Sequence, residues 1–387
     1  MRIKKIEQIF PFLFLLCCCE FIVAQPPRGP FVVSPQVLPD KKVTFRYLAP
    51  SAKEVRLSGG QFGAAALPMA KDSIGIWSVT VGPVRPDIYP YNFVVDGVSV
   101  MDPANEDFFP NERFKASLVD VPGFTPTIHA MRDVPHGAVS YAYYPSAEGT
   151  TGTLVIYTPP GYDKEAAKKY PVFYLISGTT DTEETFFKVG RTNLILDNLI
   201  AEGKAKPMIV VMPYGNVQAR IAEQKGGAKP ADPMARESAE AMTRMRNFAD
   251  DMTQHVIPYV DKTYRTIATR EARAIGGFSR GGGQTLRTAF WNMDKFAWVC
   301  CYSAYLPPSE MESRYASLVS HPETTNKQLK LLWVSVGNED FLYNDVAGFL
   351  NYLSSKKINY KSLVTGGGHT WMNVKTYLAE TAQLLFK

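Results

Sequence analysis

The strongest structural signal in this chain is the stretch Gly277-Phe-Ser-Arg-Gly281. It matches the G-x-S-x-G pattern, in which a serine sits on a sharp turn between a strand and a helix, and the glycines are needed because side chains would clash there. Ala274-Ile275 before the motif favours a strand, and Gln284–Phe290 after it favours a helix. The alternative is a glycine-rich turn without chemistry, whereas a phosphate-binding loop is excluded because no lysine follows the glycines.

A serine on such a turn needs a histidine base and an acid, which follow it in the order serine, acid, histidine. Beyond Ser279 the chain has only His321 and His369. His321 precedes a proline in a polar segment and is predicted to lie at the surface, whereas His369 follows an apolar run in a glycine-rich loop. Asp340 comes directly after a predicted buried strand and is the predicted acid, with Glu339 as the alternative.

Two further groups of residues are predicted around the serine. The backbone N–H groups of Arg280 and Thr179 are predicted to form the oxyanion hole, with Gly178 as the alternative to Thr179. Trp371 and Tyr305 are candidates for the acyl pocket, although aromatic residues at such positions more often belong to the core.

From residue 136 to residue 387 the pattern predicts an α/β domain. Long apolar runs favour buried strands, and they occur at Leu154–Tyr157, Tyr170–Ile176, Met208–Met212 and Leu331–Val336. Asn193–Glu202 and Met242–Tyr264 favour helices between them. This alternation predicts a mainly parallel sheet with flanking helices, the architecture of an α/β hydrolase.

Residues 25–122 have a different pattern, which predicts a small β-sandwich. Short strands alternate apolar with polar residues and are separated by turn signals; they are Val43–Tyr47, Val55–Leu57, Trp77–Val81 and Tyr91–Val95. Asp96-Gly97 is a strong signal for a tight hairpin. Residues 123–135 are predicted to be a linker.

Residues 1–24 are predicted to be a secretory signal peptide. A basic start precedes the apolar run Phe10–Cys19, which is too short to span a membrane, and Ala24 offers a small residue at the cleavage site. The alternative is a lipoprotein anchor on Cys19. We therefore expect the mature protein to be secreted, periplasmic or at the surface of a bacterial cell.

The composition fits a globular protein, since 45% of the 387 residues are hydrophobic and 20% are charged. The 42 basic and 37 acidic residues are mixed along the chain, so no nucleic-acid partner is predicted. Beyond residue 24 only the adjacent Cys300 and Cys301 remain, and neighbours rarely form a disulfide. The sequence has no cluster of histidine and cysteine with metal-binding spacing, and neither a metal nor another cofactor is predicted.

The segment from Tyr157 to Lys387 resembles the esterase D and enterochelin-esterase-like α/β-hydrolases, in particular the feruloyl and acetyl-xylan esterases of carbohydrate esterase family one. The matching stretches are Tyr157–Tyr162, Asn198–Gly203, Pro207–Pro213, Arg273–Ser279, Gly337–Leu342 and Gly366–Trp371. The N-terminal segment resembles the immunoglobulin-like early-set domain that is related to glycogen-binding modules, through Val43–Pro50, Ala52–Val55 and Trp77–Val81.

The resemblance implies a secreted serine esterase that removes feruloyl groups from plant cell-wall polysaccharide such as arabinoxylan, without a cofactor. By the same resemblance Ser279 is the nucleophile, His369 the base and Asp340 the orienting acid. The alternatives are an acetyl-xylan or siderophore-type esterase and, from another class, a carbohydrate-binding protein with weak or lost activity. No membrane-spanning segment is expected.

Three positions depart from the resemblance. Ser177 stands where the relatives usually have histidine, Arg280 where they usually have methionine, and Thr151-Gly152 where paired arginines are expected. The first two flank the predicted oxyanion hole. One hypothesis is that Arg280 binds an acidic sugar or the phenolate of a ferulate.

Overall fold

The structure is a computed structural model, which describes residues 31–63, 65–228 and 238–387. The signal peptide predicted for residues 1–24 lies outside these ranges. Among the helices that the ranges contain, none is both long and apolar enough to cross a bilayer.

The N-terminal region contains two antiparallel sheets. The first has the strand order β1-β2-β6-β5, and the second has the order β4-β3-β7-β10-β9 with β8 paired to β7. The strands are β1 (Gln36–Val37), β2 (Val43–Leu48), β3 (Val55–Ser58), β4 (Leu67–Pro68), β5 (Ala70–Lys71), β6 (Ile76–Val81), β7 (Asp87–Val95), β8 (Val98–Val100), β9 (Phe108–Phe109) and β10 (Ala116–Val121). The four predicted strands correspond to β2, β3, β6 and β7.

The two N-terminal sheets share one apolar core. Phe45 on β2 of the first sheet packs against Tyr91 on β7 of the second, with ring centroids 4.6 Å apart. Asp96 and Gly97 both have positive φ angles, 47° and 87°, and join β7 to β8 as the predicted hairpin. The region is therefore a β-sandwich, while the immunoglobulin-like topology stays a prediction.

The C-terminal region is built on one eight-stranded sheet with the order β11-β12-β14-β13-β15-β16-β17-β18. Its strands are β11 (Ala138–Pro145), β12 (Thr151–Thr158), β13 (Val172–Ile176), β14 (Ile209–Pro213), β15 (Arg273–Phe278), β16 (Trp298–Tyr302), β17 (Leu331–Gly337) and β18 (Lys361–Thr365). The six strands from β14 to β18 in this order are parallel. The sheet is mainly parallel, as predicted, and it is mixed at one edge, where β12 pairs antiparallel with both β11 and β14.

Helices cover both faces of this sheet, and each face has its own apolar core. They are α1 (Thr185–Lys188), α2 (Thr192–Ala201), α3 (Val217–Gln224), α4 (Ala239–Asp251), α5 (Ile257–Thr263), α6 (Arg280–Trp291), α7 (Pro308–Arg314), α8 (Ala316–Ser320), α9 (Pro322–Gln328), α10 (Tyr343–Ser355) and α11 (Trp371–Ala382). The helix predicted over Met242–Tyr264 is observed as α4 and α5, which are joined by the π-helical turn Met252–Val256.

Residues 122–137 contain no helix or strand, but they are bound along α2. The Asn198 side-chain amide donates a hydrogen bond to the Ala130 carbonyl at 3.0 Å, and Nδ1 of His136 lies 2.9 Å from Oδ2 of Asp197. His129 is only 3% exposed. The segment predicted as a linker is thus fixed to the domain that follows it.

Helix α6 is anchored by a buried ion pair, which yields a stability prediction. Arg287 binds Glu310 of α7 with two hydrogen bonds of 2.9 and 2.6 Å, and both side chains are less than 10% exposed. We expect Glu310→Ala to lower the free energy of unfolding by about 3–5 kcal/mol, because it leaves a buried guanidinium without its partner. Urea denaturation followed by circular dichroism measures the change.

The matched control is Glu312→Ala on the same helix. Glu312 is half exposed and pairs with Lys356 at the surface, so its loss should have a much smaller effect. Equal losses in the two variants would contradict this account of α6.

Candidate active site

Ser279 lies on the turn between β15 and α6 in a strained conformation. Its φ and ψ angles are 55° and −120°, a region that non-glycine residues rarely adopt. Its N–H donates to the carbonyl of Tyr302 at the end of β16, and its carbonyl accepts from the Gly283 N–H of α6. Strand and helix therefore hold the serine backbone from both sides.

The glycines of the motif allow α6 to approach the sheet closely. A Cβ atom on Gly281 would lie 2.2 Å from the carbonyl oxygen of Ile176 at the end of β13, and one on Gly277 would lie 2.5 Å from the backbone of Gly281. Any side chain at these two positions would push the helix away from the strands. The structure thus explains why the serine is flanked by glycines.

His369 is paired with Asp340. Nδ1 of the ring lies 2.8 Å from Oδ2 of the carboxylate, and the other carboxylate oxygen accepts the Leu342 N–H at 2.9 Å. Burial alone would raise the pKa of Asp340, but the hydrogen bonds from His369 and Leu342 hold the pKa below its usual value, so the group is ionised at neutral pH. Glu339, the alternative acid, is exposed, and its backbone N–H binds the carbonyl of Gly367.

The imidazole of His369 lies between two phenylalanine rings. The centroids of Phe278 and Phe341 are each 4.6 Å from the centroid of the histidine ring. Phe278 immediately precedes Ser279, so this stack ties the histidine loop to the turn that carries the serine. Phe341 is 68% exposed and was not singled out from the sequence, where its only signal is its position directly after Asp340.

The two predicted pocket residues have different surroundings. Trp371 begins α11 and packs edge-on against Phe278 and Phe186, at centroid distances of 5.5 and 4.9 Å. Tyr305 follows β16 and is partly buried against the core on one face of the sheet. The structure therefore brings Trp371 to the aromatic group around His369 and places Tyr305 at the edge of the core.

The loop after β13, residues 177–181, passes beside the serine. A Cβ atom on Gly178 would lie 3.5 Å from Cβ of Ser279. The Gly178 N–H already donates to Oδ2 of Asp181 at 3.2 Å, whereas the exposed Thr179 donates no backbone hydrogen bond within the described residues. This favours the N–H of Thr179 over that of Gly178 as a donor to a bound ligand.

Two of the three positions that depart from the resemblance, Ser177 and Arg280, lie in this loop or beside it. Nη2 of Arg280 donates to the Gly178 carbonyl at 3.3 Å, so the guanidinium braces the 177–181 loop. Ser177 is 2% exposed, and its hydroxyl has no hydrogen-bond partner in the part of the chain that the structure describes. A buried hydroxyl without a partner is destabilising.

A polar cavity of about 330 Å³ opens beside the same loop. Residues from both regions line it, among them Glu112 of the N-terminal region and Glu183, Tyr214 and Arg220 of the C-terminal region. Its size falls within the range of small-molecule sites. The Tyr214 hydroxyl already binds the Glu112 carboxylate, and the Arg220 guanidinium binds Tyr144 and Asp251.

Comparison with known proteins shows the family to which this chain belongs. A family model named Esterase, with the description "Putative esterase", matches residues 147–373, which is more than half of the chain. The chain belongs to this esterase family. The match includes Ser279, Asp340 and His369, and it begins after the N-terminal region.

Two curated relatives carry the names of xylan-degrading enzymes. The chain is 28% identical over 376 residues to an endo-1,4-beta-xylanase/feruloyl esterase from Xylanibacter ruminicola, and the match covers 95% of this chain and 48% of that protein. It is 26% identical over 276 residues to endo-1,4-beta-xylanase Y from Acetivibrio thermocellus, covering 65% of this chain and 23% of that protein. The chain thus spans half or less of the length of these relatives.

Solved structures share the fold. A mutant of the feruloyl esterase module from Clostridium thermocellum, complexed with sinapinate, matches 68% of this chain and 92% of that chain with a TM-score of 0.55 and 24% identity. An enterobactin esterase from Shigella flexneri matches 89% of this chain and 93% of that chain with a TM-score of 0.60 and 14% identity. The α/β-hydrolase fold with its mixed sheet is confirmed by these likenesses.

The glycine contacts lead to a prediction for the turn. We expect Gly281→Ala to lower the free energy of unfolding by about 1–3 kcal/mol, because the added methyl group meets a backbone carbonyl that cannot move aside. Gly348 in α10 has open space around its Cβ position, so Gly348→Ala should raise the stability by about 0.5–1 kcal/mol. Chemical denaturation of both variants checks the opposite signs, and a stable Gly281→Ala protein would refute the close-approach argument.

Proposed function

We propose that this protein is a serine carboxylic-ester hydrolase in which Ser279 is the nucleophile, His369 the base and Asp340 the acid that orients the base. The observation that carries the proposal is the 2.8 Å contact between His369 and Asp340. The imidazole of His369 also packs on Phe278, next to the strained turn that bears Ser279. Membership of the esterase family supports it.

In the proposed reaction, Nε2 of His369 takes the proton of the Ser279 hydroxyl while Oγ attacks the ester carbonyl carbon. The carbonyl oxygen becomes an oxyanion, which the N–H groups of Arg280 and Thr179 stabilise. The N–H of Arg280 lies at the N-terminus of α6, where the helix dipole favours negative charge. The tetrahedral intermediate collapses, the alcohol leaves with the proton from His369, and an acyl-enzyme remains. Water, deprotonated by His369, then hydrolyses the acyl-enzyme.

We propose that the acyl group is feruloyl or a related hydroxycinnamoyl group, carried by a plant polysaccharide such as arabinoxylan. The similarity to a xylanase/feruloyl esterase supports this substrate class. The exposed ring of Phe341 and the ring of Trp371 offer apolar surface beside His369 for an aromatic acyl group. An acetyl-xylan or siderophore-type esterase is the alternative, and a carbohydrate-binding protein with weak or lost activity is the alternative from another class.

The same proposal includes secretion through a signal peptide at residues 1–24, to the periplasm, cell surface or medium. The lipoprotein anchor on Cys19 is the alternative. The oligomeric state and any glycan binding by the N-terminal sandwich do not enter the proposed mechanism.

The assignment of the triad predicts how far each substitution lowers kcat. Ser279→Ala should lower kcat for p-nitrophenyl acetate by at least about three orders of magnitude, since the nucleophile is removed. Asp340→Asn should lower kcat by about 10⁴-fold, because it no longer orients the His369 ring, whereas Glu339→Gln at the exposed neighbouring position should stay near the parent rate. Steady-state kinetics measures all three, and an active Ser279→Ala protein would refute the mechanism.

The acyl class is tested with methyl ferulate, acetylated xylan and p-nitrophenyl acetate. We expect turnover of methyl ferulate, and we expect Phe341→Ala to lower kcat/KM about tenfold more for ferulate than for p-nitrophenyl acetate. Loss of the ring's contact with His369 acts on both substrates, whereas only an aromatic acyl group also loses apolar surface. Turnover of acetyl esters alone would transfer the assignment to a deacetylase. Folded protein without activity on any of the three would favour the carbohydrate-binding alternative.

A further inference from the structure

The 177–181 loop is held by residues on both of its sides. From the C-terminal region, Arg280 donates to the Gly178 carbonyl, and Asp181 closes the loop on itself by accepting the Gly178 N–H and donating its own N–H to the Gly178 carbonyl. These contacts fix the first half of the loop, next to Ser279. The second half is held by a different part of the molecule.

That second support comes from the N-terminal region, through residues 110–112. The side-chain amide of Asn111 donates to Oδ1 of Asp181 at 3.1 Å, and the Glu112 N–H donates to the Thr180 carbonyl at 2.7 Å, so the two backbones pair as a short antiparallel bridge. Asn111 is 1% exposed and Asp181 is 6% exposed. The two side chains are therefore buried, and the backbone bridge restricts both chain segments.

The loop needs outside support because its backbone is strained. Thr180 has a φ angle of 63°, in the left-handed region that β-branched residues avoid. Strained residues keep such conformations only where the surrounding contacts over-determine them. Its carbonyl is the group that accepts the Glu112 N–H, so the N-terminal region acts directly on the strained residue.

The N-terminal segment is itself rigid at this point. Oδ1 of Asn111 accepts the Arg113 N–H at 2.9 Å, and the Asn111 carbonyl accepts Nζ of Lys115 at 2.9 Å. The Glu112 carboxylate receives the Tyr214 hydroxyl at 2.6 Å, which ties the segment to the end of β14. Asn111 thus presents its amide to Asp181 from a fixed position.

The groups around Asp181 influence the protonation of its carboxyl group. Burial raises the pKa of Asp181 to about 7, while the Asn111 amide, the Gly178 N–H and the Arg280 guanidinium act in the opposite direction. The amide of Asn111 therefore stabilises the carboxylate form, which is the form that can accept from Gly178 and Asn111 together.

We infer that Asn111 is a positioning residue for the esterase reaction, because its contact with Asp181 holds the 177–181 loop so that the Thr179 N–H faces the oxyanion formed at Ser279. The inference rests on the proposed function. It gives the N-terminal region a part in transition-state stabilisation, which neither the Esterase family match over residues 147–373 nor the serine motif assigns to it.

The expected effect follows from what an oxyanion donor does. Such a donor acts on charge that develops in the transition state, so its displacement lowers kcat and leaves substrate binding little changed. Outright loss of one donor costs about 10²–10³-fold in kcat. Loss of a residue that only positions the donor should cost less, about 10–100-fold.

The test compares Asn111→Ala with Asn105→Ala in the full chain. Asn105 lies in the same region and donates to the Leu118 carbonyl at 2.7 Å, without contact to the loop, so its loss reports a merely structural role. We expect Asn111→Ala to lower kcat for the best ester substrate by about 10–100-fold with KM within about twofold, and Asn105→Ala to keep the parent kcat. Circular dichroism and thermal unfolding establish that both variants are folded.

A second variant covers the case in which Asn111→Ala does not fold. Asn111→Asp has the same shape but removes the amide donor and places a carboxylate against Asp181, so it should show the same loss of kcat. Parent-like kcat in the folded Asn111 variants, or an equal loss of kcat in Asn105→Ala, would overturn the inference. Failure of the proposed function has a different signature, because then the parent protein itself would show no ester hydrolysis that depends on Ser279.

Discussion

The close approach of α6 to the end of β13 is the constraint on which the rest of the site depends. Because Gly281 has no side chain, the helix lies against the Ile176 carbonyl, and the serine before it is forced into a conformation with positive φ. The Arg287–Glu310 pair keeps the helix in this place from its other end. The backbone of Ser279 is thus fixed, and groups from distant parts of the chain lie around it.

The groups around the Ser279 turn come from both the N-terminal and the C-terminal region. Among the described residues, several contacts join the N-terminal sandwich to the C-terminal region, including the ion pair of Asp87 with Lys375 of α11, the apolar cluster that includes Phe109 and Val189, and the Asn111–Asp181 hydrogen bond. The first lies one helical turn after Trp371, and the last holds the 177–181 loop. The interface therefore borders the site on two sides.

Much of this could be predicted from sequence, because the signals are local. The G-x-S-x-G turn, the apolar strands and the Asp96-Gly97 hairpin depend on residues that are neighbours in the chain, and Asp340 and His369 were named from the strands they follow. Long-range contacts were not predictable: Asn111 and Asp181 are 70 residues apart. Strand β11 is not predictable from its sequence pattern, because exposed tyrosines interrupt the apolar run that marks a buried strand. The contact of Arg280 with Gly178 is not predictable either, because it depends on the position of the 177–181 loop.

The buried pair of Asp87 and Lys375 has a consequence for how this protein can be divided. Separation of the two regions would break this ion pair and expose the apolar cluster of Phe109 and Val189 to water. A chimera that replaces one of the two regions would therefore have to keep the residues on both sides of this interface matched.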